Sequence, residues 1–104
     1  MGRARRIKLE TREFAKAGDA TGFFSAMLSR YPIGSRISEA DARDLRALLK
    51  RHDEESEKVG AGIDHFEVAT PPDGYSGKCF WIVRVDRSRI DFSFKHCLEP
   101  RPHD

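Results

Sequence analysis

The chain is 104 residues long, 35% charged and 38% hydrophobic, with a formal net charge of +2. That length allows one core and leaves no room for a catalytic domain beside a second module. Its Phe, Trp, Leu, Ile and Val content argues against a disordered segment, and no run approaches the ~20 apolar residues of a membrane-spanning helix. Two cysteines, Cys79 and Cys97, are too few for a disulfide scaffold. No apolar segment of the secretion-signal kind follows the start, so a monomeric cytoplasmic chain with reduced thiols is expected.

The small net charge is unevenly placed. Residues 1–12 carry Arg3, Arg5, Arg6, Lys8 and Arg12 against Glu10 alone, a net +4, which leaves the remainder at −2. The segment 1–12 is therefore expected to be a basic arm able to reach phosphates, 13–99 a single domain, and 100–104 a frayed tail. Within the arm, Arg6-Ile7-Lys8-Leu9-Glu10 alternates polar and apolar, the pattern of a short edge strand.

Two helices follow. Asp19 is a suitable N-cap, and Ala20, Phe23, Phe24, Met27, Leu28 and Tyr31 recur at the spacing of one helical face. Pro32 and Gly34 end this helix. The second opens at Ser38 with Asp41 three residues on, a shortened capping box. Leu45, Leu48, Leu49 and His52 make its buried stripe, and Arg43, Asp44, Arg46, Lys50 and Arg51 cover its other sides. Residues 53–58 read as a charged loop or a short extra turn.

From residue 63 the period changes from 3.6 to 2. Phe66, Val68 and Thr70 point one way, while Ile63, His65, Glu67 and Ala69 point the other. Pro71-Pro72-Asp73-Gly74 is turn chemistry. Residues 78–85 are the most apolar run, as a central strand covered on both sides would be. A hairpin turn at Asp86-Arg87-Ser88 leads to a last strand from Arg89 to Phe94, with Ile90, Phe92 and Phe94 inward. The expected architecture is α+β: two helices on one face of a three-stranded antiparallel meander, with the amino-terminal strand available to one edge.

Several ordered motifs span residues 14 to 98. They are Phe23-Phe24-x-x-x-Leu28-x-x-Tyr31; Leu48-Leu49-x-x-His52; Glu57-Lys58-Val59-Gly60-x-Gly62-Ile63; Phe66-x-Val68; Cys79-Phe80-x-x-x-Arg84-x-Asp86; and Asp91-Phe92-Ser93-Phe94-Lys95-x-Cys97. In this order and spacing the chain resembles the plant Defective Chloroplasts and Leaves family, the domain of unknown function 3223, in a stand-alone bacterial form. One departure is Arg87, where the family favours glycine; this argues against a two-residue type I′ turn and for a longer loop. The resemblance implies a non-enzymatic role near RNA, in ribosomal RNA maturation or transcription. It carries no catalytic residues.

The residues themselves permit four chemistries. An RNA surface would use Arg3, Arg5, Arg6 and Lys8 in the arm with Lys78, Arg84, Arg87, Arg89 and Lys95 on the last strands, and Trp81 as a stacking ring. The alternative is a protein-docking module using an exposed sheet edge or the His52–Gly62 loop. His52, Lys58, Asp86, Asp91 and Ser93 are the remaining polar signature positions, and an Arg84–Asp91 cross-strand ion pair is the plain structural use of two of them. Zinc is not expected, because Cys79, Cys97, His52, His65, His96 and His103 lack ligand spacing. A Cys–His nucleophile has no supporting motif, so no catalytic residues and no cofactor are assigned.

Overall fold

The computed structural model describes residues 6–52, 54–73 and 77–99. Arg3, Arg5, His103 and the expected tail lie outside them. The chain opens with a two-stranded antiparallel ribbon, β1 (Ile7–Lys8) and β2 (Glu13–Phe14), with Ile7 opposite Phe14. Helices α1 (Ala17–Arg30), α2 (Glu39–Leu49) and the short α3 (Glu55–Val59) follow. The meander is β3 (Ile63–Ala69), β4 (Cys79–Arg84) and β5 (Arg89–Phe92), with β4 in the centre, and α4 (Phe94–Cys97) closes the described chain.

The amino-terminal strand is therefore present but does not extend the meander; it pairs with Glu13–Phe14 instead. Nor are residues 6–12 a free arm. Ile7 and Leu9 are buried in the core, as their alternation with charged neighbours demands. The meander edge at β3 is taken by residues 34–37: the Ile37 N–H donates to the Phe66 carbonyl at 2.8 Å, and the Val68 N–H to the Ser35 carbonyl at 2.9 Å.

One apolar layer joins the parts. Phe66, Val68, Phe80, Ile82 and Phe92 from the inner sheet face meet Phe24 and Met27 of α1 and Leu45, Leu48 and Leu49 of α2. Trp81 and Val83, on the outer face of β4, are only partly buried, so the central strand is covered by helices on one side. The last strand stops at Phe92 rather than Phe94. Ser93 turns the chain into α4, its Oγ accepting from the His96 N–H, and Phe94 still reaches the core from there. Asp44 departs furthest from expectation, since it is buried rather than on an outer helix face.

The two long helices are joined by one hydroxyl. Helix α1 starts at Ala17, so Asp19 lies in its first turn and not at the cap. Ser38 does cap α2, accepting from the Asp41 N–H at 3.2 Å. The Asp41 carboxylate does not close the box itself. The Tyr31 hydroxyl donates to Asp41 Oδ2 at 2.6 Å and accepts the Ser38 N–H at 3.1 Å, which completes the box across the helix–helix loop. Arg30 adds an ion pair to Asp41 at 2.8 Å. Burial pushes the Asp41 carboxyl up, but the Tyr31 hydroxyl and the Arg30 guanidinium outweigh it and hold it below 3.8. A depressed carboxyl stabilises the fold above its unfolded value, and the contribution disappears as pH falls through the folded one. Tyr31→Phe should thus cost about 1 kcal/mol at neutral pH, with a smaller difference from the wild type once Asp41 is protonated. Urea midpoints at neutral and strongly acidic pH measure both.

The β4–β5 connection has four residues, Val85 to Ser88, longer than a two-residue turn as the missing glycine predicts. The Arg87 N–H donates to the Arg84 carbonyl at 2.9 Å, and the Arg84 N–H to the Ser88 carbonyl at 2.8 Å. Arg87 itself sits at φ +73, the left-handed position that such hairpins give to glycine. Arg87→Gly should raise stability by about 0.5–1 kcal/mol, the left-handed strain relieved less the extra freedom of the unfolded glycine. Thermal melting would show it.

Candidate functional site

The outer face of the meander is where a stacking platform would lie. Trp81 stands at its centre with Glu67 opposite on β3 and Asp91 opposite on β5. The ring is not open. The Arg89 guanidinium lies over it, 5.1 Å from the centroid, and reaches across to Glu67 Oε1 at 2.9 Å, while the indole N–H donates to the Thr70 carbonyl at 3.0 Å. His65 Nε2 holds the other Glu67 oxygen at 2.9 Å. A base stacking on Trp81 would have to displace Arg89 between two carboxylates, which disfavours a polyanion there.

The polar signature positions meet at the joint between α3 and the hairpin. Arg84 turns away from Asp91, and the expected ion pair between them is absent. Its guanidinium donates to the Glu57 carbonyl at 2.6 Å, the Lys58 carbonyl at 3.1 Å and Ser88 Oγ at 3.1 Å. It thereby caps the Glu57 and Lys58 carbonyls at the end of α3, while the turn that follows satisfies Ser56 and Val59. Asp86 accepts from the Ser88 N–H at 3.0 Å and the Ser88 hydroxyl at 2.5 Å, and these bonds lower its carboxyl from 3.8. Lys58 reaches back to the Asp91 carbonyl at 2.8 Å and so covers the outward backbone of β5. With residues 34–37 on β3, both edges of the meander are contacted. Docking of a partner strand loses its simplest route.

Other candidate residues are committed in the same way. Lys78 donates to the Ser29 and Tyr31 carbonyls at 3.2 and 2.7 Å, closing the end of α1. His52 is buried, its Nδ1 accepts the Glu54 N–H at 2.9 Å, and its ring lies 4.7 Å from that of His96. The Cys79 thiol is half-buried and pushed up to about 11, first by burial and then by the Asp91 carboxylate, so it stays protonated at neutral pH. Among the described residues, no group of three His, Cys, Asp or Glu side chains converges as a metal set.

Two shallow grooves adjoin the Asp91–Lys95 segment. One, of about 400 Å³, runs between α1, the Pro71–Asp73 turn and the start of β4; the other, of about 470 Å³, lies beside His52, Lys58 and His96. Asp91 and the exposed Lys95 belong to both. They are the signature side chains with no hydrogen bond or ion pair among the described residues.

A concentration of positive charge lies elsewhere, beside α2 and the ribbon. A groove of about 470 Å³ is lined by Arg6, Lys8, Lys50 and Arg51, and a neighbouring one of about 430 Å³ by Arg43, Arg46 and again Lys50. Against these six cations stand, among the described residues, Glu10 and Glu55. Glu10 is engaged by Lys50 at 2.5 Å, and Arg6 pairs with Glu13 at 3.0 Å. Lys8, Arg43 and Arg46 make no ion pair among the described residues. The sequence shows these α2 cations only as solvated helix sides. The available signal was their 3–4 spacing, which puts Arg43, Arg46 and Lys50 on one face.

These features define a small α+β domain with helices on one face of an antiparallel meander and most of its polar signature built into the joints. The chain belongs to the family described as Protein of unknown function (DUF3223), whose model matches residues 25–98. It is 37% identical over 81 residues to Protein DCL, chloroplastic, of Solanum lycopersicum, covering 75% of this chain and 36% of that protein. To Protein EMBRYO DEFECTIVE 514 of Arabidopsis thaliana it is 32% identical over 94 residues, 89% of this chain and 46% of that one. DNA-directed RNA polymerase IV subunit 1 of Arabidopsis thaliana matches at 33% over 72 residues, 69% of this chain but 5% of the subunit. The chain thus spans less than half the length of these plant relatives. The solution NMR structure of an uncharacterised Rhodospirillum rubrum protein matches with TM-score 0.82 and 40% identity, covering 93% of this chain and 91% of that one. The helix-and-meander arrangement and the bacterial form of the resemblance both agree with that structure. No helix among the described residues is long and apolar enough to cross a membrane.

Proposed function

We propose that this protein is a small, monomeric, cytoplasmic, non-catalytic binding domain that associates with RNA, in ribosomal RNA maturation or a transcription-linked process. The observation that supports this reading is the segregation of charge. Among the described residues, six cations line two adjoining grooves against two carboxylates, on a chain whose net charge is +2. Such a surface attracts a polyanion through many weak phosphate contacts and needs no deep pocket. A match within a subunit named as an RNA polymerase component points the same way. Titration of the labelled protein with RNA at low salt, followed by NMR, tests it. Shifts that appear at low salt and fade as salt is raised are expected; their complete absence would end the RNA reading.

A second reading, a protein-docking module, is favoured by one fact: in the polymerase subunit the matching region is 5% of a much larger chain. The exposed face beside His52, Lys58 and Lys95 is then the contact, since the sheet edges are contacted from within. Recovery of one stoichiometric protein partner after nuclease treatment supports docking over RNA.

A further inference from the structure

We propose that the exposed side of α2 and the neighbouring ribbon form a ridge that grips the phosphate backbone of an RNA double helix. This rests on the RNA reading above and adds where the contact lies and which form of RNA it takes.

Spacing comes first. Arg43, Arg46 and Lys50 are exposed on one helical face, spanning about 10 Å along the axis at 1.5 Å per residue. Arg6 and Lys8 flank that row across a groove, because β1 turns Ile7 and Leu9 into the core and so turns its basic residues out. Two elements remote in sequence thus present cations on adjoining grooves, an arrangement suited to a backbone with regularly spaced charges.

The form of RNA follows from what the ridge lacks. Single strands are held largely by stacking their bases on aromatic rings, whereas RNA duplexes are held by shape and by phosphate and 2′-hydroxyl contacts. None of the described residues lining the two grooves is aromatic. Trp81, on the sheet, is already covered by Arg89. The remainder of the chain, at a net −2, repels a polyanion and turns the ridge toward it.

Glu10 provides a test that loss of folding cannot mimic. Its side chain is 67% exposed and it occupies Lys50 in the middle of the ridge. Its removal should strengthen binding, because one like charge disappears and one cation is released. The experiment is fluorescence anisotropy on the full chain with a labelled RNA duplex of about 16 base pairs, the span of a compact duplex-binding domain. The corresponding RNA single strand and DNA duplex serve as comparison ligands, between about 50 and 200 mM salt. R43Q/R46Q should bind the RNA duplex about tenfold more weakly at low salt, with the slope of log K against log salt flattened by about two. Glu10→Gln should tighten binding several-fold, and R87Q/R89Q on the sheet should leave it unchanged. All variants should melt within a few degrees of the wild type, because the altered side chains are exposed.

Wild-type affinity in R43Q/R46Q together with loss in R87Q/R89Q overturns the ridge and leaves the RNA reading standing. Preference for the single strand, or equal affinity for the DNA duplex, overturns the assignment to duplex RNA. Failure of the wild-type chain to bind any RNA at low salt defeats the RNA reading itself.

Discussion

Replacing Gly60 with alanine should destabilise the protein by about 2–3 kcal/mol, in two separable parts. Gly60 sits at φ +54, ψ −123, backbone that a side chain rarely adopts. A Cβ there would also lie 2.8 Å from Arg84 Nε and 3.0 Å from its Cδ. The guanidinium can escape that contact only by leaving the Glu57 and Lys58 carbonyls it caps. Conformational strain and loss of the cap therefore arrive together. Arg84→Ala alone should cost about 2 kcal/mol, since charge-assisted bonds to otherwise open carbonyls disappear. In the Arg84→Ala background, Gly60→Ala should cost only its backbone strain, so the double variant falls short of the sum by about 1 kcal/mol. Urea denaturation of the four proteins gives the coupling directly. Full additivity would mean that the guanidinium does not depend on the bare glycine.

That joint shows how far the sequence leads. Gly60, Gly62, Arg84 and Asp86 stand out as an ordered set, and glycine at a chain reversal has an obvious local reason. Their mutual use does not follow from order alone. Arg84 lies opposite the end of α3 only because β3 and β4 pair with Ile63 against Arg84, and an alternating pattern fixes the face of a residue but not its register. The same limit explains the missing Arg84–Asp91 pair, because Asp91 sits opposite Trp81 and the Arg84 side chain has carbonyls closer by.

Long periodic elements were legible. The Ala20, Phe24, Met27 stripe is buried as its spacing requires, and so are Phe66, Val68, Phe80 and Ile82. The ribbon was legible only in part: the alternation over residues 6–10 marks its first strand, but a two-residue partner at Glu13–Phe14 is too short for a period to be read. Part of the basic ridge lies in that ribbon and part beside a helix more than thirty residues away. Neither part is unusual by itself; folding brings them together.

Arg12→Ala should be the costliest single charge change, at about 2–3 kcal/mol. Asp44 is 4% exposed, and Arg12 meets it with two parallel bonds, Nε to Oδ1 at 3.1 Å and a terminal nitrogen to Oδ2 at 3.0 Å. A buried carboxylate stripped of its partner bears its desolvation uncompensated, although the 43% exposure of the Arg12 side chain lets some water in and moderates the loss. The guanidinium also lies 4.3 Å from the centre of the Phe23 ring, so truncation removes packing as well as charge. Arg12→Lys keeps the charge but not the fork, and should recover only part of the stability. Asp44→Asn should cost less than Arg12→Ala, because a neutral amide left in the core needs no counter-charge. The order Arg12→Ala, then Asp44→Asn, then wild type is what chemical denaturation should return; the reverse order would show that the stranded carboxylate is not what makes the loss of Arg12 costly. The consequence reaches the ridge. Arg12 fastens the ribbon to α2, and the ribbon carries Arg6 and Lys8. Arg12→Ala should therefore weaken RNA binding by more than the loss of one phosphate contact, even where most of the protein remains folded.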